Sequence, residues 1–238
     1  MLIRWATEKE RLQYGYPHNN YDSYDVLISV DRMTNRCLGI IGFSRKNKTV
    51  EEAQIFDDLR RYEINEKLTK CAQRQSNPSG NSFHYKYIQY ERESHKEFCP
   101  CCNNMPAPEG LEVIAELEYA WVTAERVAQG RLFGKCHVLS RKHYVHLYDM
   151  TKEDLAGFMV DVQKAAKVLQ EVTGAIKINY EIHGNSAPHL HCHLFPRYLD
   201  DDFPGEGIDV KLTEPSPYES EEEFRWFFNK MHEKLCSK

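Results

Sequence analysis

No apolar run in this sequence approaches the roughly 18 residues that a membrane-crossing helix needs. The first residues, Met1-Leu2-Ile3-Arg4-Trp5-Ala6-Thr7-Glu8, are mixed and soon acidic. They lack the apolar segment of a secretory signal, so a cytoplasmic location is the expectation. Concentrated positive charge is missing too. The chain has 31 Lys and Arg against 36 Asp and Glu, a formal charge of -5 spread along its length. No basic tract therefore marks a dedicated nucleic-acid surface. No internal repeat is present. With 238 residues, 41% hydrophobic and 28% charged, the composition suits a soluble globular protein of one large or two modest domains.

Cysteine, by contrast, is not scarce: there are eight. In a chain of this length and expected compartment they stay reduced. Three cluster at Cys99, Cys101 and Cys102, a grouping that points to metal. The Cys99-x-x-Cys102 spacing lets two thiolates grip one tetrahedral zinc. A redox pair is the competing reading, although no thioredoxin-like βαβ pattern surrounds it.

Asn77-Pro78-Ser79-Gly80-Asn81-Ser82 is the clearest loop. Before it, 25–30 and 37–43 read as short strands around an Asp-Arg-Met-Thr-Asn-Arg turn. Thr49 can cap a helix over 50–71, with Ile55, Leu59, Tyr62 and Leu68 near helical spacing. The aromatic-rich stretch 83–90 reads as extended. Residues 1–95 thus form an N-terminal α/β extension whose role the sequence does not indicate, ahead of a domain over 96–238. In that second part, 112–116 and 119–123 suggest a hairpin and 136–140 a strand. Thr151-Lys152-Glu153-Asp154 opens a long helix that Gly174 stops. Strands follow at 176–182 and 189–195, then an amphipathic helix at 221–235. This order is an α+β pattern.

Histidines stand at every second position in Ser186-Ala187-Pro188-His189-Leu190-His191-Cys192-His193-Leu194-Phe195-Pro196-Arg197. In a strand, residues i, i+2 and i+4 share one face at about 6.6 Å spacing. His189, His191 and His193 would then face a cleft together, with Leu190, Cys192 and Leu194 toward a core. A metal-binding His-x-His pair is one reading. Such sites usually need nearby carboxylates, and Asp200, Asp201 and Asp202 lie beyond Pro196, off the strand.

His-Leu-His-Cys-His-Leu-Phe also resembles the histidine triad (HIT) superfamily pattern of three histidines alternating with apolar residues. The preceding Asn179-Tyr-Glu-Ile-His-Gly-Asn-Ser-Ala-Pro, the following Pro196-Arg197 and the upstream Gly134-Lys-Cys-His-Val-Leu-Ser-Arg-Lys-His143 are similar to family segments. The likeness covers roughly residues 98–204. It implies a HIT-like antiparallel sheet with a long helix, and an enzyme that hydrolyses or transfers nucleotides at the α-phosphorus. Dinucleoside polyphosphates or nucleoside phosphoramidates are the implied substrates, with hydrolysis ahead of transfer. His191 would be the nucleophile and form a nucleotidyl-histidine intermediate. His193 and Ser186 would assist at the phosphate or leaving group, and Asn179 would bind nearby. Lys135 stands where many members have histidine and could neutralise phosphate as a point charge. His183 reads as a surface histidine near the cleft. The resemblance also implies a structural zinc held by Cys99, Cys102, His143 and His189, with Cys101 as rival for a thiolate position, and a homodimer. Two alternatives stay open: a non-catalytic nucleotide-binding or scaffold module, and a metal-dependent hydrolase.

Overall fold

A computed structural model describes residues 1–16, 24–104, 106–107 and 110–237. The chain divides into two compact units, Met1–Tyr90 and Glu91–Lys238, each with its own sheet.

The first unit contains β1 (Leu2–Trp5), α1 (Glu8–Gln13), β2 (Tyr24–Val30), β3 (Cys37–Ser44), β4 (Thr49–Val50), β5 (Gln54–Ile55), α2 (Arg61–Ser76) and most of α3 (Phe83–Glu93). Its sheet runs β1-β2-β3-β4, with β5 also on β3, and every pairing is antiparallel. The turn between β2 and β3 forms where expected. Asp31 Oδ1 accepts from the N–H groups of Met33 and Thr34, and Asn35 takes a φ of 54°. Ile64, Leu68 and Ala72 of α2 pack on Leu27, Leu38, Ile41 and Phe43.

Two expectations fail in this unit. The helix over 50–71 does not start at Thr49. Thr49 and Val50 pair with Ser44 and Phe43, and Ile55 pairs with Gly39, so β-branched residues join the sheet instead. The helical path begins only where the Asp57 side chain accepts the N–H of Arg60. The stretch 83–90 is helical rather than extended. Phe83, Tyr87 and Tyr90 also fit a helical period, and the Gln75 side chain holds the segment, donating to Phe83 O and accepting from Tyr87 N.

The second unit contains α4 (Pro100–Asn104), β6 (Glu112–Glu116), β7 (Ala120–Ala124), β8 (Cys136–Ser140), α5 (Lys152–Thr173), β9 (Lys177–Glu181), β10 (His191–Arg197) and α6 (Glu221–Cys236). The strands form an antiparallel sheet in the order β6-β7-β8-β10-β9. This is the expected α+β arrangement, an antiparallel sheet with a long helix. Thr151 caps α5 through the N–H of Asp154, and Gly174 ends it at a φ of 72°. Val122, Cys136, Val138, Cys192 and Leu194 pack with Phe158, Val162, Ala165 and Leu169 of α5, and Phe224, Phe227 and Met231 of α6 extend the same core. Asp161 of α5 accepts the N–H of Tyr119 at 2.7 Å, which ties the β6–β7 turn to the helix.

That contact holds the Tyr119 backbone beside Gly157, where an added Cβ would stand 2.4–2.5 Å from the ring, including its Cγ. Glycine to alanine in a helix ordinarily gains about 1 kcal/mol, but overpacking costs about 1–3 kcal/mol. Gly157→Ala should therefore lower the melting temperature by a few degrees in a calorimetric scan. A higher melting temperature would show that the ring yields freely.

Candidate functional site

The strand register builds the site. Residues opposite each other in antiparallel strands point to the same face. Thr123 lies opposite His137, His137 opposite His193, and His193 opposite Glu181. One row of side chains thus crosses β7, β8, β10 and β9 on the face away from α5. A neighbouring row holds Trp121, Leu139 and His191. On the other side of the histidine row lie Phe195 and Asn179, opposite each other. Lys135 and Glu125 stand just beyond the ends of β8 and β7, 3.6 Å apart.

The imidazoles are close. The His193 ring centre is 4.8 Å from those of His137 and His191 and 5.5 Å from that of His183. Phe195 stacks parallel to His193 at 5.6 Å. His191 Nδ1 donates to the carbonyl of His189 at 2.7 Å. A carbonyl can only accept, so the proton belongs on Nδ1 and the lone pair on Nε2. Burial, with Lys135 as a further cause, pushes the His191 pKa below the ordinary 6.5. The same causes push His193 down to about 2 and His137 well below 6.5. Buried Thr123 Oγ1 and His193 Nδ1 have no hydrogen-bond partner among the described residues, and such groups carry a desolvation cost of about 1–3 kcal/mol each.

Lys135 is fully buried. Its ammonium touches His137 Nε2 and faces Glu125, and burial lowers its pKa to about 8. Asn179 is half-buried on the His193 face, while Ser186 sits on the exposed segment between β9 and β10.

The three histidines do not project together from one strand, which corrects the expectation from their spacing. β10 begins at His191 rather than His189. Leu190 N donates to Tyr144 O, and Ser140 N donates to Leu190 O, which holds 189–190 as a separate segment after Pro188. His189 turns its ring into the cysteine cluster instead. Its Nδ1 lies 3.4 Å from Cys99 Sγ and 3.6 Å from Cys102 Sγ, and His143 Nδ1 lies 3.4 Å from Cys102 Sγ. One ligand atom from each of Cys99, Cys102, His143 and His189 falls within 4.8 Å of all the others. His189 Nε2 donates to Ser140 O at 2.7 Å and His143 Nε2 to Ser94 O at 2.8 Å. Both rings thereby direct an unprotonated Nδ1 inward, as metal-ligating histidines do. Two sulfurs and two imidazole nitrogens fit a closed zinc set. Cys101 is outside the set. It packs with Cys99, Trp121 and Leu139, and its hydrogen bond to Cys99 is the largest cause lowering the Cys99 pKa to about 3.

Sequence reading missed Thr123, Glu125 and Glu181, and gave His137 only marginal weight. The available signal was strand pairing: once β7, β8 and β9 are aligned on the histidine strand, these residues fall on its open face.

The fold and site define an α+β domain with imidazoles on one sheet face and a Cys2His2 cluster beside them. The family model of the HIT domain matches residues 112–200, and this part of the chain is a HIT domain. An uncharacterized HIT-like protein of Methanocaldococcus jannaschii is 29% identical over 85 residues, which cover 34% of this chain and 62% of the relative. The chain therefore spans less than two thirds of that curated relative. A histidine triad protein from Bradyrhizobium japonicum is 20% identical, with 53% of this chain and 92% of that chain covered and a TM-score of 0.47. A zinc-bound histidine triad family protein from Mycobacterium smegmatis is 21% identical, with 59% and 97% covered and a TM-score of 0.44. Among the described residues, no helix is long and apolar enough to cross a membrane.

The His189 carbonyl contact predicts that nitrogen-15 spectra will show His191 as the Nδ1–H tautomer, with a titration midpoint below the ordinary 6.5. A dominant Nε2–H tautomer would contradict this geometry.

Proposed function

We propose that the second unit is a nucleotide hydrolase or transferase that cleaves nucleotide conjugates at the α-phosphate through His191. Dinucleoside polyphosphates and nucleoside phosphoramidates are the favoured substrates, and water the favoured acceptor. The observation that carries this reading is the 2.7 Å contact from His191 Nδ1 to the His189 carbonyl, which leaves the Nε2 lone pair for attack. Burial supports it by keeping His191 neutral.

His191 Nε2 attacks the α-phosphorus, and the bond to the leaving group breaks. Water then displaces the nucleotide from His191, so one hard displacement becomes two easier ones. His193 and Ser186 contact the phosphoryl oxygens, and Asn179 binds beside them. Lys135 contributes from within the protein: its charge, next to His137, draws the substrate's anionic group without reaching the surface.

Cys99, Cys102, His143 and His189 would hold a structural zinc. Bound there, it supplies crosslinking and takes no part in the chemical step. Reduced thiolates in this role suit a cytoplasmic setting.

On a panel of nucleotide conjugates, His191→Ala should reduce turnover by at least about 10³-fold. Full activity in that variant would end the catalytic reading, and nucleotide binding without any turnover in the unaltered protein would favour a binding module. Elemental analysis should find about one zinc per chain, lost on changing both Cys99 and Cys102 to Ser but kept in Cys101→Ala. Zinc loss in Cys101→Ala alone would reassign the ligands.

A further inference from the structure

His183 differs from the other imidazoles on the open face. His137 and His193 are buried, and His191 is tied through Nδ1 to a carbonyl. The His183 side chain is 43% exposed, and its Nε2 lies 2.6 Å from Glu181 Oε2. A carboxylate at this distance holds Nε2 and orients the ring, leaving Nδ1 free to face the site. Glu181 is itself fixed by register, directly opposite His193 on β10. The His183 and His191 rings both contact the ring of His193, at 5.5 Å and 4.8 Å. A phosphoryl group resting against His193 is therefore within reach of the nucleophile and of a second imidazole that communicates with solvent. The charged and titratable groups around His183 are Glu181 on β9, His191 and His193 on β10, and the more distant Lys135 before β8.

We infer that His183, held by Glu181, is the proton donor to the leaving group in the first half-reaction and the proton acceptor from water in the second. The inference rests on the proposed role of His191. In the first half, the His191 Nε2–P bond forms and the bond from phosphorus to the leaving atom breaks. The proton on His183 Nδ1 passes to that atom, and His183 becomes neutral. In the second half, a water oxygen bonds to phosphorus and the N–P bond breaks. Its electron pair returns to His191 Nε2, and the water proton restores the protonated ring of His183. The net change is addition of one water across the cleaved bond.

The test uses two esters of one nucleoside monophosphate, with 4-nitrophenol as a good leaving group and a simple alkyl alcohol as a poor one. Single-turnover release of the alcohol or phenol isolates the first half-reaction. General acid catalysis contributes about 10²–10⁴-fold where the leaving group needs a proton. His183→Gln should therefore slow alkyl release by about 100-fold or more, with a loss at least about tenfold smaller for 4-nitrophenol. Glu181→Gln should show the same asymmetry at reduced size. Equal losses for both esters, or no loss in either variant, would overturn the inference while leaving His191 in place. Unchanged release in His191→Ala would overturn the nucleophile assignment, and this inference with it.

Discussion

The placement of His189 organises the site. Its Nε2–H is held by the carbonyl of Ser140, its Nδ1 faces the sulfurs of Cys99 and Cys102, and its own carbonyl accepts the Nδ1–H of His191. One residue thus joins the cysteine cluster to the tautomer of the neighbouring histidine. A single hydrogen bond contributes only about 0.5–1.5 kcal/mol net. Here three contacts act on one short segment, between Pro188 and the first residue of β10, so a shift in any of them moves the carbonyl that His191 uses.

The two sheet faces then divide the work. The face toward α5 and α6 is apolar and closely packed. The other face buries imidazoles and one lysine. Burial and the Lys135 charge act in the same direction on His191 and His193, both disfavouring imidazolium. Lys135 is buried and Glu125 half-buried, and the desolvation of this pair offsets much of its mutual attraction. Such a pair is a weak source of stability. Its effect is to set the potential on the row where a phosphate would rest.

Much of the second unit was legible in the sequence. Its two long helices, α5 and α6, have a cap residue and a period of apolar residues, and its strands have alternation, so the boundaries of these elements fell within two residues. The cysteine and histidine cluster was legible through resemblance, and the geometry brings those four residues together. What stayed hidden depends on pairing between distant segments. Nothing local marks Thr123, Glu125 or Glu181 as neighbours of the histidine row. Regular alternation suggested that His189 continues the strand, but the hydrogen bonds that Leu190 donates to Tyr144 and accepts from Ser140 decide otherwise. In the first unit, Thr49 is both a good cap and a good strand residue, and sheet pairing chose the second. The aromatic stretch 83–90 suited either structure until Gln75 held it in a helix.

The central claim is that one histidine of the three carries the chemistry while another is turned away to the cysteine cluster. The most direct measurement is peptide mass spectrometry of protein mixed with a nucleotide conjugate and quenched in alkali within the first turnovers, since phosphorus bonded to imidazole nitrogen survives alkali better than acid. The account predicts a nucleotide mass addition that fragmentation localises to His191. An addition on His189 or His193, or turnover with no adduct at any quench time, would contradict it.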